Sequence, residues 1–340
     1  RECIMTVPAN TRETYGAIGI REDLSNIIYN ISPMDTPFMN GVGRGSCDNT
    51  TFEWQTDTLS DTATNRQKEG DDYASTAATE PRRLTNFTQI SATQVQSSGT
   101  AEAVDFAGRK STQAYQLAKR AKELKRNMET MLLDDTLKTI ASSGSARATA
   151  SVGAWMGGPI VLETPVLDGT QATVVGLQNL GAGSVGPDGT TAPSAVAGST
   201  TAITLAGINE TVSRIWDKGG TPDVIMCDGP TKQTISSSSV GGSVVADPIG
   251  NNSGGKAITA INAVDVLVTD FGTFKIVPNR FSVPTFAYFF DYDLWSIDYL
   301  RPFRTETLAK SGDSVKQLLI AEYGLRSKNG FGNGQLRGVK

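Results

Sequence analysis

Residues 101–140 read AEAVDFAGRKSTQAYQLAKRAKELKRNMETMLLDDTLKTI, and the rest of the chain is organised around them. The stretch holds no Pro and a single Gly, Gly108, and is rich in the helix formers Ala, Leu, Met, Lys, Arg and Glu. Apolar residues fall at Val104, Ala107, Ala114, Leu117, Ala118, Ala121, Leu124, Met128, Met131 and Leu132. These are steps of three, four and seven, the period of one helical face. At 1.5 Å per residue, about 40 residues make a rod of roughly 60 Å, far beyond the usual three or four turns. A coiled coil needs sustained heptads, and Lys110 and Ser111 interrupt the stripe. The stretch therefore reads as a spine on which a sheet and neighbouring subunits lie. Its polar face carries Arg109, Lys119, Arg120, Lys122, Lys125 and Arg126, and several of these are expected to pair with carboxylates of the same or a neighbouring subunit.

Composition narrows the function. A chain of 340 residues holds two or three compact domains or one elongated subunit. Its net charge of −4 gives no global basic field for gripping nucleic acid. No apolar run approaches the roughly 20 residues that span a bilayer, so no membrane partner is expected, and no apolar core of a signal peptide is seen near the N-terminus. Cys3, Cys47 and Cys227 are scattered, without a CxxC, which suits a reducing compartment and argues against a disulfide framework or a zinc site. Histidine is absent, which removes the commonest general base and metal ligand.

On either side of the spine the chain reads as appendages and a modest core. Residues 1–47 form an N-terminal arm, with Leu24, Ile27, Ile28 and Ile31 on one face of a short helix that Ser32-Pro33 stops. Pro37 is expected to keep the next segment extended, with Phe38 and Met39 plugged into another surface. Over 48–98, Phe52 and Trp54 alternate with Glu53 and Gln55, and a weaker strand returns from Leu84 to Gln96. The polar sequence between them is too long for a tight turn, so a two-stranded β-arm projects from the body. Residues 99–143 hold the spine. Residues 144–204 are rich in Gly, Ser, Thr and Ala and read as an inserted or irregular region, with Trp155, Met156, Ile160, Val161 and Leu162 as a short strand or plug. Residues 205–300 read as α/β: a helix with Leu205, Ile208, Val212, Ile215 and Trp216 on one face, a strand at 222–227, a helix opened by Gly229-Pro230, and a hairpin around Asp270-Phe271-Gly272. Strands follow at 285–290, 294–300 and 315–325, and 326–340 reads as a flexible, mildly basic tail.

No constellation supports catalysis, a cofactor or a metal. Gly108-Arg109-Lys110-Ser111-Thr112 lacks the Gly directly before Lys and the earlier Gly that let a phosphate-binding loop wrap its ligand. Asp270-Phe271-Gly272 matches a kinase tripeptide, but without His there is no catalytic loop, and it reads as a hairpin turn. Gly41-Val42-Gly43-Arg44-Gly45 lacks dinucleotide spacing. The acidic pairs Asp71-Asp72, Asp134-Asp135, and Asp291 with Asp293, read as solvated faces. The residues that stand out are instead candidates for inter-subunit contact: Ile27, Ile28, Phe38, Met39, Trp54, Lys68, Arg82, Arg83, Arg301 and Arg304. Arms that bury little within their own chain become stable on neighbours, as in a subunit of a large symmetric shell.

Whole phrases carry a resemblance. REDLSNIIYNISPMDTPFMN (21–40), FEWQTDTL (52–59), TQVQSSGTAEAVDFAGRKSTQAYQLAKRAKELKRNMETMLL (93–133), GGTPDVIMCDGPTKQTIS (219–236), VLVTDFGTFKIVPNRF (266–281) and LRPFRTETLAKSGDSVKQLLIAEYGL (300–325) resemble the major capsid proteins of tailed bacteriophages, podovirus-type (SU10-like), with the HK97 fold. The resemblance covers most of the chain except roughly 144–204. It implies an α+β fold with an N-arm at 1–47, an extended β-hairpin E-loop at 48–98, a spine helix at 99–143 with a peripheral β-sheet completed by 301–340, and an axial α/β domain at 205–300. It further implies hexamers and pentamers of an icosahedral shell enclosing double-stranded DNA without sequence recognition. Portal protein and a scaffold or decoration protein would be partners, and the shell would be a virion component assembled in the host cytoplasm. In some members a Lys of the E-loop forms an isopeptide bond with an Asn of a neighbour. Lys68 is the Lys of that region here, but no Asn or catalytic Glu is identifiable, and crosslinking is not expected. The alternatives are an encapsulin-type nanocompartment and, from another class, an α/β enzyme using 205–300.

Overall fold

The structure, a computed structural model, describes residues 35–57, 59, 66–70, 80–106, 109–156, 172–175, 203–240, 265–310 and 312–337. The expected helix at Leu24–Ile31, most of the sequence between the two strands of the arm, and Ile160–Leu162 lie outside these residues.

The spine is shorter than its sequence suggests. Helix α3, Thr112–Leu132, has 21 residues, about 31 Å. The residues that interrupt the apolar stripe mark its start: Ser111 has an extended backbone, and its side chain accepts the Ala114 N–H at 3.2 Å. Upstream, Gly99–Ala103 forms one separate turn (α2), capped by Ser98, and Glu102 of that turn accepts the Gln113 N–H at 3.3 Å. Leu124, Met128 and Leu132, four residues apart, are buried along α3. Beyond Leu133 the chain leaves the helix, and Asp134 and Thr136 accept backbone bonds from Gly153 and Ser151.

Two sheets share the core with this helix. Strand β1 (Gly43–Ser46) lies parallel to β10 (Trp295–Thr307), which pairs antiparallel with β11 (Ser314–Ser327) and then β4 (Gln89–Ser98). Pro302 cannot donate to a ladder, and the β10–β11 register shifts on either side of Arg301. The second sheet runs β5 (Ala172–Val175), β12 (Gly334–Arg337), β9 (Phe286–Phe290), β6 (Val224–Cys227), β8 (Gly272–Pro278), β7 (Val266–Thr269). One face of it packs on α5 (Leu205–Asp217) and α6 (Gly229–Val240) through Ile208, Val212, Ile215, Phe274 and Phe289. The other face puts Met226, Tyr288 and Phe290 into the cluster shared with α3 and the first sheet. Helix α5 closes with Gly219 at φ +82°, its N–H on Trp216 O and that of Gly220 on Ile215 O, the paired bonds of a Gly-terminated helix.

The β-arm is present as β2 (Thr51–Thr56) and β3 (Arg82–Phe87), an antiparallel pair. The return strand is divided at Thr88, and its second half, β4, joins the first sheet. Asn86 makes the division: its buried amide donates to Thr149 and Leu325 O and accepts from Phe87 and Ala150 N–H. Packing through Gly324, where a Cβ would collide with the Phe52 ring, lets the ribbon base sit on β11.

Three further expectations are corrected. Pro37 does not extend the chain; it opens the single turn α1 (Pro37–Gly41), where its missing N–H costs nothing. Residues 148–156 are core and not insertion: Ala150, Val152, Ala154, Trp155 and Met156 are fully buried, and Val152–Met156 is a helical turn (α4), so Trp155 and Met156 form the plug and not the strand of the two alternatives. Residues 326–337, the described part of the expected tail, are not flexible. Strand β12 is buried throughout between β9 and β5, and Arg337 forms a two-pronged pair with Asp135 at 2.9 and 2.6 Å. The guanidinium lies 4.4 Å from the Phe286 ring centre, so the charge is matched on both sides. Replacing Arg337 with Ala strands Asp135 and removes this packing, and we expect a loss of about 3 kcal/mol in urea unfolding of the soluble subunit. An unchanged unfolding midpoint would show that β12 does not anchor the chain end.

Candidate functional site

For a protein without a catalytic constellation, the functional surfaces are what the core holds in place and what it leaves uncovered. The holding is done by buried carboxylates. Glu129, one turn before the end of α3, is fully buried. It accepts the Phe38 N–H at 2.8 Å and the Met39 N–H at 2.9 Å, the free amides at the start of α1, and the Asn279 side-chain amide at 2.7 Å. Burial pushes its pKa up, and the donated hydrogen bonds pull it back only in part. Glu322 on β11 accepts from Arg147 at 2.5 Å, Arg301 at 2.7 Å and Thr88 at 3.0 Å. Asp298 on β10 faces Arg326 at 2.5 Å and Ser296 at 3.0 Å, and burial still raises its pKa.

The residues expected at subunit contacts divide accordingly. Ile27 and Ile28 lie outside the described residues. Phe38 and Met39 do plug a surface, but it is their own: Phe38 is fully buried, its ring 5.1 Å from that of Phe290 and 6.3 Å from Trp295. A side chain with no exposure has nothing left for a neighbour. Trp54 is half-buried, stacked on Phe52 at 5.6 Å and tilted on Trp155 at 5.2 Å, with Arg326 over its ring. Arg301 belongs to the Glu322 cluster, while Arg304 pairs with Glu306 and Arg83 with Glu53, both at exposed sites. Arg82 is half-buried opposite Thr56, at the end of the ribbon away from its base, and Lys68 is exposed. Glu129, Arg147, Glu322 and Asp298 were missed from sequence, and Asp135, read there as part of a solvated pair, is instead bound by the buried Arg337. Glu129 had a signal, an acid inside the apolar run from Met128 to Leu133. The others sit among ordinary strand and loop residues.

Outside the core, apolar side chains lie open at several separate places. Among the described residues strand β7 is the last of its sheet, and Val266 and Val268 on it are 55% and 73% exposed. At the adjoining hairpin, Phe271 contacts Trp216 of α5 at 5.8 Å, both also exposed. Leu59 on the arm, Ile90 on β4, and Val104 and Ile140 flanking the spine are open too. Among the described residues no cluster of His, Cys, Asp and Glu could hold a metal ion. Both described thiols are buried, with pKa pushed up to about 11 for Cys47 and about 12 for Cys227, which leaves them protonated and unreactive.

This architecture is that of shell subunits. The chain superposes on the cyanophage A-1(L) capsid asymmetric unit with a TM-score of 0.68 at 12% identity, covering 94% of this chain and 97% of that one. The capsid of the native GTA particle gives 0.59 at 11% identity, covering 96% and 98%. The fold is thus α+β and HK97-like, that of phage capsid proteins. The chain belongs to the SU10 major capsid protein family, which matches residues 7–340. It is 27% identical to the major capsid protein of Escherichia phage Phieco32 over 352 residues, 95% of each chain. It is a structural major capsid protein of a phage, and its place is in the virion.

Glu129 gives a test of the core. Because its pKa is higher folded than unfolded, the native state takes up a proton first as pH falls, so this group stabilises more at low pH and less as pH rises through its folded value. Wild type should gain stability relative to Glu129→Gln as pH falls from neutral toward the ordinary carboxylate range in urea melts, and Glu129→Ala should cost about 3 kcal/mol at neutral pH by orphaning three donors, a cost that grows as pH falls. A pH-independent difference between wild type and the Gln variant would refute the assignment.

Proposed function

We propose that this subunit assembles into hexamers and pentamers of an icosahedral head that encloses double-stranded DNA without reading its sequence. It acts without enzymatic activity, meeting portal protein and a scaffold or decoration protein at assembly in the host cytoplasm. The observation that carries this is the edge of the six-stranded sheet. Natural edge strands are blunted by charge, Pro or a covering element. β7 instead presents Val266 and Val268 beside the Phe271–Trp216 pair, a surface suited to a further copy of the chain. The separate open sites at Leu59, Ile90, Val104 and Ile140 support contacts on several sides, as a closed shell requires. The β2–β3 ribbon, with Trp54, Lys68, Arg82 and Arg83, is the arm that lies on a neighbour, and Ile27 and Ile28 extend the same role to the N-terminal arm. The encapsulin and enzyme alternatives are not favoured, since the family and its relatives are phage capsid proteins.

Electron microscopy of the purified protein tests this directly: shells are expected, and small soluble species at every concentration would overturn it. Val266→Lys with Val268→Lys should leave the subunit folded, since both side chains are exposed, yet reduce shells at least tenfold. Deleting 60–80 should likewise leave a folded subunit that fails to form stable shells. Normal assembly of that deletion would remove the arm from the account.

A further inference from the structure

Helix α3 is locally cationic in an acidic chain. It carries Lys119, Arg120, Lys122, Lys125 and Arg126 against Glu123 and Glu129, while the whole chain has a net charge of −4. The two acids do not neutralise the open face: Glu129 is buried, and Glu123 is held by Arg120 at 2.7 Å. Leu124, Met128 and Leu132 fix the inward side of the helix. Lys119, Lys122 and Arg126 are spaced i, i+3, i+7 and so form one line on the opposite side, with Lys125 flanking it. Lys119, Lys122 and Lys125 are exposed, and among the described residues no ion pair engages them. Among the described residues, the expectation that several of these cations pair with carboxylates therefore holds for Arg120 only. Arg126 instead lies 5.5 Å from the Phe281 ring and Arg109 4.2 Å from that of Phe106.

We propose that the Lys119–Lys122–Arg126 line, with Lys125, is the surface by which the subunit touches the phosphate backbone of the enclosed duplex DNA, which places this side of α3 toward the lumen. The inference rests on the capsid function proposed above. From Lys119 to Arg126 is about 10 Å along the helix, and a duplex presents a negative charge roughly every 1.7 Å of its axis. Lys119 and Lys122, exposed and outside any ion pair among the described residues, suit a ligand whose charge is continuous and tolerant of position, and Lys125 beside them lies 5.8 Å from the Phe303 ring centre and is still exposed. A protein carboxylate would call for a single fixed geometry, and often for Arg. The acidic remainder of the chain limits the contact to this line, so the genome is held weakly and can leave.

The test uses full-length protein and a 30-bp duplex. The triple variant K119Q/K122Q/K125Q should bind the duplex at least tenfold more weakly than wild type at 50 mM salt. Its slope of log K against log salt should fall by about 0.9 for each phosphate that is no longer neutralised. K119R/K122R/K125R should keep wild-type binding. So should K218Q/K275Q/K310Q, which removes the same charge elsewhere. Equal weakening in that control, weakened binding in the Arg variant, or unchanged binding in the stripe variant overturns the inference. Electron microscopy separates this from the capsid function. Shells from wild type but none from the stripe variant would make the line a subunit contact, as would an acidic partner protein retained in place of DNA, and either result overturns the inference alone. Intact empty shells that adsorb added duplex through the stripe would overturn its lumenal placement. No shells from wild type would overturn the capsid function itself.

Discussion

Much of the molecule depends on the Glu129 carboxylate finding three donors inside the core. An ionised carboxyl group is costly to bury unless hydrogen bonds replace its water. Here the replacements come from places distant in sequence, the start of α1 and Asn279. The satisfied charge ties the N-terminal segment to the spine and the spine to the six-stranded sheet. The same end of the helix makes two more ties. Leu133 O accepts the Tyr288 hydroxyl at 2.7 Å, and Asp135 receives Arg337 from the last strand. Gly153 lies so close to Asp135 that a Cβ would strike the carboxylate. Within two turns of chain, the N-terminal segment, the 148–156 segment and the C-terminal strand meet.

The four-stranded sheet repeats this device at its own interfaces. Glu322 gathers Arg147 and Arg301, and Asp298 gathers Arg326, all on strands or segments that a purely apolar core could let slide. Buried ion pairs add little net stability, but a broken one is expensive, so each fixes a register. Rigid registers at the centre suit a shell subunit. The apolar rims on β7, the arm and the spine flanks can then be presented to neighbours in constant geometry.

Much of the fold was legible in the sequence because its signals are local. Apolar period, a Ser before a helix, Gly-Gly after one, and Asp-Phe-Gly between two strands each act over a few residues, and α5, β6, α6 and the β7–β8 hairpin lie where those signals put them. The spine was read too long because composition favours helix across the whole stretch, while Ser111 capping the next amides starts the helix inside it. Phe38 and Met39 showed that they must be covered, but an apolar side chain carries no sign of whose surface covers it.

What the sequence by itself determined is the kind of protein: a His-free, acidic chain with an amphipathic spine, an arm and an α/β half, carrying the phrases of a phage capsid protein. What only the tertiary structure decided is which segments become core. Gly334–Arg337 looks like tail and 148–156 like insertion, because neither has a long apolar period. They are buried because distant partners supply what their own residues lack: strand neighbours for β12, Asp135 for Arg337, and Asn86 for the Ala150 backbone. Burial is a property of the pair, and a sequence read locally shows only one member.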